Sequence, residues 1–216
     1  MALYDRWTTA FKLLLERNED EFDNLENQRI LILQIRRLNM YLAIAGQEMS
    51  PGCEMHWDRH MPVFVEMLSY AHQIVPASID KGGDAHYGSQ LGIFPHFSLE
   101  GGVILPLFLL ASRCRHPVVR RAAIVIIDRL SRREGALNGS LVARVADRIV
   151  SIEEDGLVGV DSCQSVPEGS RLFCVRVWLQ PGATEAKFDY SKRAEEQGKS
   201  RVVTCTEIMQ KSPDMM

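Results

Sequence analysis

The spacing of apolar residues changes once along this chain, and that change decides what it can fold into. From Leu3 to Ile152, outside the segment 76–95, apolar side chains recur every three or four positions; beyond Asp155-Gly156 they recur every second position. The longer period lines one face of a helix and the shorter one lines one face of a strand. The expected fold class is therefore mainly α: a multi-helix, bundle-like domain over residues 1–156, then a small C-terminal antiparallel β hairpin or sheet over 157–216 packed on the same core. At 216 residues and 46% hydrophobic content, such a chain buries roughly 70% of its unfolded surface in one core.

In the helical part, Leu3, Trp7, Phe11, Leu14 and Leu15 predict a first helix ending near Arg17. Leu31, Ile35, Leu38, Leu42 and Ala45 predict a long second helix that stops around Gly46 and offers the first one a partner face. Trp57, Met61, Phe64, Leu68, Ala71 and Val75 form a third stripe. Pro62 fits only in the first turn of that helix, which makes Asp58 the expected cap. Residues 76–95, interrupted by Lys81-Gly82-Gly83-Asp84 and Gly88, read as a loop of a length found both in binding lids and in unstructured connectors. Ser98 is the expected cap of a helix whose body, 103–111, is apolar on every side, which makes it central, with a kink at Pro106. Pro117 suits the first position of the next helix, and Asn138-Gly139-Ser140 breaks the chain before a last one carrying Val142, Val145, Ile149 and Ile152. Further on, Phe173, Val175, Val177 and Leu179 alternate with Cys174, Arg176 and Trp178, predicting a strand over 171–180. Pro181-Gly182 is a turn, and strands are expected over 202–206 and near 186–190.

A formal net charge of −3 and a pI near 6.1 supply no field for a polyanion, so direct contact with nucleic acid is not expected of this segment. The five cysteines include no CxxC pair and are read as reduced thiols in a chain too large to need stapling. The longest apolar stretch, 101–111, is far short of the roughly 20 residues that span a bilayer. Asp5 and Arg6 stand where a signal peptide is apolar, so cytoplasm or nucleus is the expected setting.

Ile104-Leu105-Pro106-Leu107-Phe108, then Arg113-Cys114-Arg115-His116-Pro117 and Arg120-Arg121-Ala122, is similar to a run in the C-terminal effector region of fungal binuclear-zinc-cluster transcription regulators. Arg132-Arg133-Glu134-Gly135, Val145-Ala146 and Ile152-Glu153-Glu154 follow in the order and spacing of that region, and Glu54 to Asp58 with Phe64 resembles the segment before it. The resemblance covers most of residues 30–155. Ala136-Leu137 stands where the family commonly has a tryptophan, and the family's zinc cluster of six closely spaced cysteines has no counterpart here. Met1 at the start of a predicted helix points to a complete protein that has lost DNA binding, over an excised domain.

Chemistry-bearing groups are few. His56 and His60 have the i, i+4 spacing of paired ligands, with Cys53 just before them, but no third ligand is specified, so no metal is assigned. Arg113, Cys114 and Arg115 end the apolar helix, where guanidinium groups complement exposed carbonyls, and Glu134 is a natural ion-pair partner for one of these arginines or for Arg132. Cys114 as a nucleophile needs a base such as His116, and sequence neighbours rarely face each other. Phosphate loops, dinucleotide fingerprints and Ser-centred elbows are missing, and no cofactor is assigned.

What remains is a shaped apolar cavity near the third helix and the long loop, with Tyr41, Trp57, Tyr87 and Phe94 as substrate-binding walls and His60, His96 and Arg113 as catalytic hydrogen-bond donors. The function expected first is a stand-alone transcription-factor-like domain that binds an apolar small molecule. It promotes cofactor-free cyclisation or isomerisation, including pericyclic Diels-Alder chemistry, in fungal secondary metabolism. The rival, which the resemblance itself implies, is a ligand-sensing or protein-interaction effector domain, with homodimerisation as one form of partnership.

Overall fold

A computed structural model of the chain describes residues 2–18, 22–47, 53–75, 97–98, 102–130, 133–134, 137–179, 185–196 and 199–210. Tyr87, Phe94 and His96, with the loop expected over 76–95, lie outside the described residues. Six α-helices are described: α1 Ala2–Arg17, α2 Asn24–Gln47, α3 Met61–Ile74, α4 Ile104–Arg113, α5 Pro117–Leu130 and α6 Gly139–Glu153. A 3-10 turn, Glu54–His60, leads into α3. The C-terminal strands β4 Phe173–Leu179, β5 Glu185–Glu196 and β6 Lys199–Gln210 form an antiparallel sheet in the order β4-β5-β6. The chain is thus mainly α with a small C-terminal sheet, and none of its described helices is long and apolar enough to cross a membrane.

Local chemistry accounts for the element ends. Asp23 and Glu26 start α2 as a reciprocal capping box: the Glu26 amide donates to Asp23 Oδ1 at 2.7 Å and the Asp23 amide donates to Glu26 Oε2 at 2.9 Å. Pro117 opens α5, where its missing N–H costs no bond. Asn138 caps α6, its side chain accepting from the Leu141 amide at 3.1 Å. Two expected caps are corrected. His60, not Asp58, precedes α3, because the Asp58 carboxylate is bonded to Arg171 instead. Ser98 belongs to a two-residue strand, β1 Phe97–Ser98, paired in parallel with β2 Arg133–Glu134, which pairs antiparallel with β3 Leu137–Asn138. The cap of α4 comes from that small sheet, as described below. Pro106 is the third residue of α4, where no intrahelical bond is lost, so the proline itself calls for no kink.

Packing departs from the pattern in two places. Phe11 alone is buried on α1, with Trp7 stacked on it at 5.1 Å and Leu3 and Leu14 left exposed. The helix apolar on every side, α4, leaves Leu105 55% exposed, while α6 is the element enclosed from both sides. Val142, Ala143 and Ala146 of α6 join the helical core of Ile35, Leu42, Phe64, Met67, Leu107 and Ile127. Leu141, Val145 and Ile149 of the same helix join a second core with Leu172, Ala186, Phe188 and Tyr190 of the sheet region. The sheet is bulged at its start: Cys174 has φ 51 and the β4–β5 register shifts between Phe173 and Arg176, which turns Phe173 inward.

Candidate functional site

Two arrangements meet at the end of α4. The first is a lattice of arginines and carboxylates drawn from four parts of the chain, with Arg115, Arg120, Arg171 and Glu153 fully buried. Arg115 Nη2 donates to Glu153 Oε1 at 2.8 Å, Glu54 Oε2 at 3.2 Å and the Leu172 carbonyl at 3.1 Å, while its Nη1 donates to the Arg113 carbonyl at 2.8 Å. Arg120 Nη2 donates to the other Glu153 oxygen at 2.6 Å and its Nε to the Ala111 carbonyl at 3.3 Å. Glu153 also accepts from the Leu172 amide at 2.8 Å. Arg171 grips Asp58 with two bonds of 2.7 and 2.8 Å and spends its remaining donors on the carbonyls of Val166, Cys163 and Glu54. Glu168 accepts from the amides of Glu54 and Met55, both at 2.8 Å, at the start of the 3-10 turn. Arg121 pairs with Glu154 at the edge.

Buried charges survive only when pairing and hydrogen bonding offset their desolvation. Burial alone pushes the Glu153 carboxyl up, but the Arg115 and Arg120 guanidiniums overcome it and hold that carboxyl below its ordinary range. Burial likewise opposes the charge of Arg115, and Glu153 and Glu54 outweigh it, so its guanidinium is held more firmly protonated than usual. Glu134 serves elsewhere: from β2 its carboxylate accepts the amides of Gly102, Val103 and Ile104 at 2.9, 3.1 and 3.0 Å, capping the positive end of α4. Glu54, Arg113, Arg115, Arg120, Arg121, Glu134, Glu153 and Glu154 all lie in the segments that carry the resemblance, and all of them hold elements together.

The second arrangement, the ring nook, is a cluster of packed rings between α2 and the 3-10 turn. It brings together Tyr41, Trp57, His60 and Arg113, four of the seven residues singled out from the sequence. The Tyr41 and His60 rings meet edge-on at 5.6 Å, Trp57 lies 6.0 Å and His56 5.4 Å from His60, and the Arg113 guanidinium sits 5.6 Å over the Trp57 ring. Tyr4 of α1 adds a wall at 6.0 Å from Tyr41. Gly46 lets α2 approach, since a Cβ there would stand 3.0 Å from the tip of the indole. Arg113 Nη1 is bonded to Glu54 at 2.6 Å, so this cation is shared between lattice and nook.

Trp57 Nε1 and His60 Nε2 are buried and have no hydrogen-bond partner among the described residues. Burial first, then the positive charges of His56 and Arg59, lowers the His60 pKa and favours neutral imidazole, with one N–H donor and one acceptor nitrogen. Tyr41 and Trp57 thus pack against His60, whose Nε2 is unpartnered among the described residues. Cys114 is not poised as a nucleophile: its hydrogen bond with Cys163 and then its burial push the thiol up. Sequence reasoning missed Glu54, Asp58 and Arg171 as partners, and Tyr4 as a wall, because each meets its contacts across more than thirty residues. Among the described residues no three His, Cys, Asp or Glu side chains gather as metal ligands. No family model matches the chain, and no curated protein or solved structure matches it either.

Proposed function

We propose that this chain is a transcription-factor-like helical module acting as a ligand-sensing effector domain, with the Tyr41, Trp57 and His60 nook taking an apolar small molecule that carries a polar group. One observation carries the reading: two buried ring nitrogens, on Trp57 and His60, lack partners and lie together in one ring cluster, beside a Glu153 carboxylate that is met on both oxygens. Each such atom costs about 1–3 kcal/mol, and a ligand's carbonyl or hydroxyl would offset that cost. The resemblance to fungal zinc-cluster regulators supports the same reading, since the similar residues stiffen the frame around the nook. A cytoplasmic or nuclear setting and action through protein partners go with it; direct contact with nucleic acid does not, given a net charge of −3.

A second reading rests on the same atoms. An indole N–H and a neutral imidazole are one donor to polarise a carbonyl and one group to relay a proton, which suffices for cofactor-free cyclisation or isomerisation. One experiment separates the two. A Trp7→Phe, Trp178→Phe protein keeps Trp57 as the sole indole of three; it is incubated with fractionated fungal metabolite extract, and bound material is analysed by mass spectrometry. Sensing predicts a retained compound, recovered unchanged, that shifts Trp57 emission and is lost in His60→Phe. An isomer of unchanged mass supports the enzyme, and failure to retain any compound overturns both readings.

A further inference from the structure

Apart from the nook, three sulfur atoms from distant parts of the chain converge. Met61 opens α3, Cys114 follows α4, and Cys163 begins the short 3-10 turn Cys163–Ser165. Cys114 Sγ lies 3.7 Å and Cys163 Sγ 3.9 Å from Met61 Sδ. Both thiols donate to the Met61 thioether, act on each other's titration and are not bridged. Cys114 and Cys163 are buried, and Met61 is half-buried.

The dimensions suit a metal. With metal–sulfur bonds of about 2.3 Å, three ligands in a trigonal plane stand about 4 Å apart, the separation already present between each thiol and the thioether. Two thiolates with a thioether are soft donors, which favour copper(I) over hard oxygen-seeking ions. The nearest carboxylates are engaged: Asp58 by Arg171, and Glu54 by Arg113 and Arg115. A bis-thiolate bound to a monovalent ion keeps one negative charge; Arg120 acts on Cys114 in its favour, while at Cys163 Asp58 opposes it and Arg171 favours it.

We propose that Met61, Cys114 and Cys163 form a binding site for copper(I). Binding is an exchange without redox change: one copper(I) enters, two S–H bonds give two Cu–S bonds, and two protons leave to solvent. The thioether completes the plane as a neutral third ligand.

The test is an anaerobic titration of the reduced chain with copper(I), buffered by a chromogenic copper(I) chelator. One ion per chain, about two protons released, and three sulfur neighbours by X-ray absorption are expected. Cys114→Ser and Cys163→Ser should each lower affinity at least 100-fold, and Met61→Leu, which keeps the packing volume, about tenfold; circular dichroism checks that each variant is folded. A variant with the remaining thiols Cys53, Cys174 and Cys205 replaced by serine should bind as the parent does. Binding that survives Cys114→Ser with Cys163→Ser, binding lost in the variant of the other three cysteines, formation of a Cys114–Cys163 disulfide in place of copper retention, or no competition with the chelator each overturns the proposal.

Discussion

The lattice and the nook sit side by side, share Arg113, and each leave buried nitrogens without a hydrogen-bond partner, Arg115 Nε and Arg120 Nη1 in one and Trp57 Nε1 and His60 Nε2 in the other, yet they differ in whether a carboxylate organises them. Around Glu153 both carboxylate oxygens are occupied and three donors converge; around His60 a ring nitrogen is left over. The difference teaches where activity is to be sought. A carboxylate met on both oxygens specifies geometry, whereas ring nitrogens with no acceptor or donor beside them are capacity for a further contact.

If that contrast is right, Glu153→Gln has the largest effect. It leaves the Arg115 and Arg120 guanidiniums buried against a neutral amide, and unfolding in urea should show a loss of about 3–5 kcal/mol. Acid reaches the same state reversibly. The folded-state pKa of Glu153 is depressed, so its contribution is fully present above the unfolded value near 4.5 and is lost as pH falls through the lower folded value. The stability gap between wild type and Glu153→Gln should therefore be flat from pH 7 to 5 and narrow below about 4.5; a gap that stays constant on acidification breaks the argument.

Next in size, Glu134→Ala strips three amides at the start of α4 of their acceptor and should cost about 2 kcal/mol, with hydrogen exchange of those amides rising first. The nook predicts the opposite outcome. His60→Phe removes an unpartnered nitrogen and should leave stability unchanged or raise it by up to about 1–3 kcal/mol, since no bond is lost; a loss comparable to that of Glu153→Gln would erase the distinction between the regions. Smallest of all is the exposed pair of Arg148 and Glu207, bonded at 2.7 and 3.1 Å. Arg148→Met should cost about 0.5 kcal/mol, and salt should diminish even that.

What could be read from the sequence was what is local. Helical period located all six described helices, Pro117 and Asn138 marked element starts by chemistry within one turn, and alternation located all three C-terminal strands, although β5 and β6 run several residues farther than their apolar cores. Trp57 and His60 were legible as neighbours because they are three residues apart on one turn, while Tyr41 joins them only because α2 packs on α3. The lattice stayed hidden for the converse reason: Glu54 meets Arg113 and Arg115 across 59 and 61 positions, and no periodicity encodes such pairing. Glu134 was noticed but assigned to an arginine, because the two-residue strands that carry it to the start of α4 are too short to leave a pattern.

The placement of α6 between two cores has a consequence for how this fold can be taken apart. One helix supplies Val142, Ala143 and Ala146 to one interior and Leu141, Val145 and Ile149 to the other, so it is a party wall and not a partition. A fusion, circular permutation or recombination breakpoint that separates residues 139–153 from either side opens both interiors at once. Cutting the helices from the sheet is therefore expected to bare apolar side chains on two faces of α6 together.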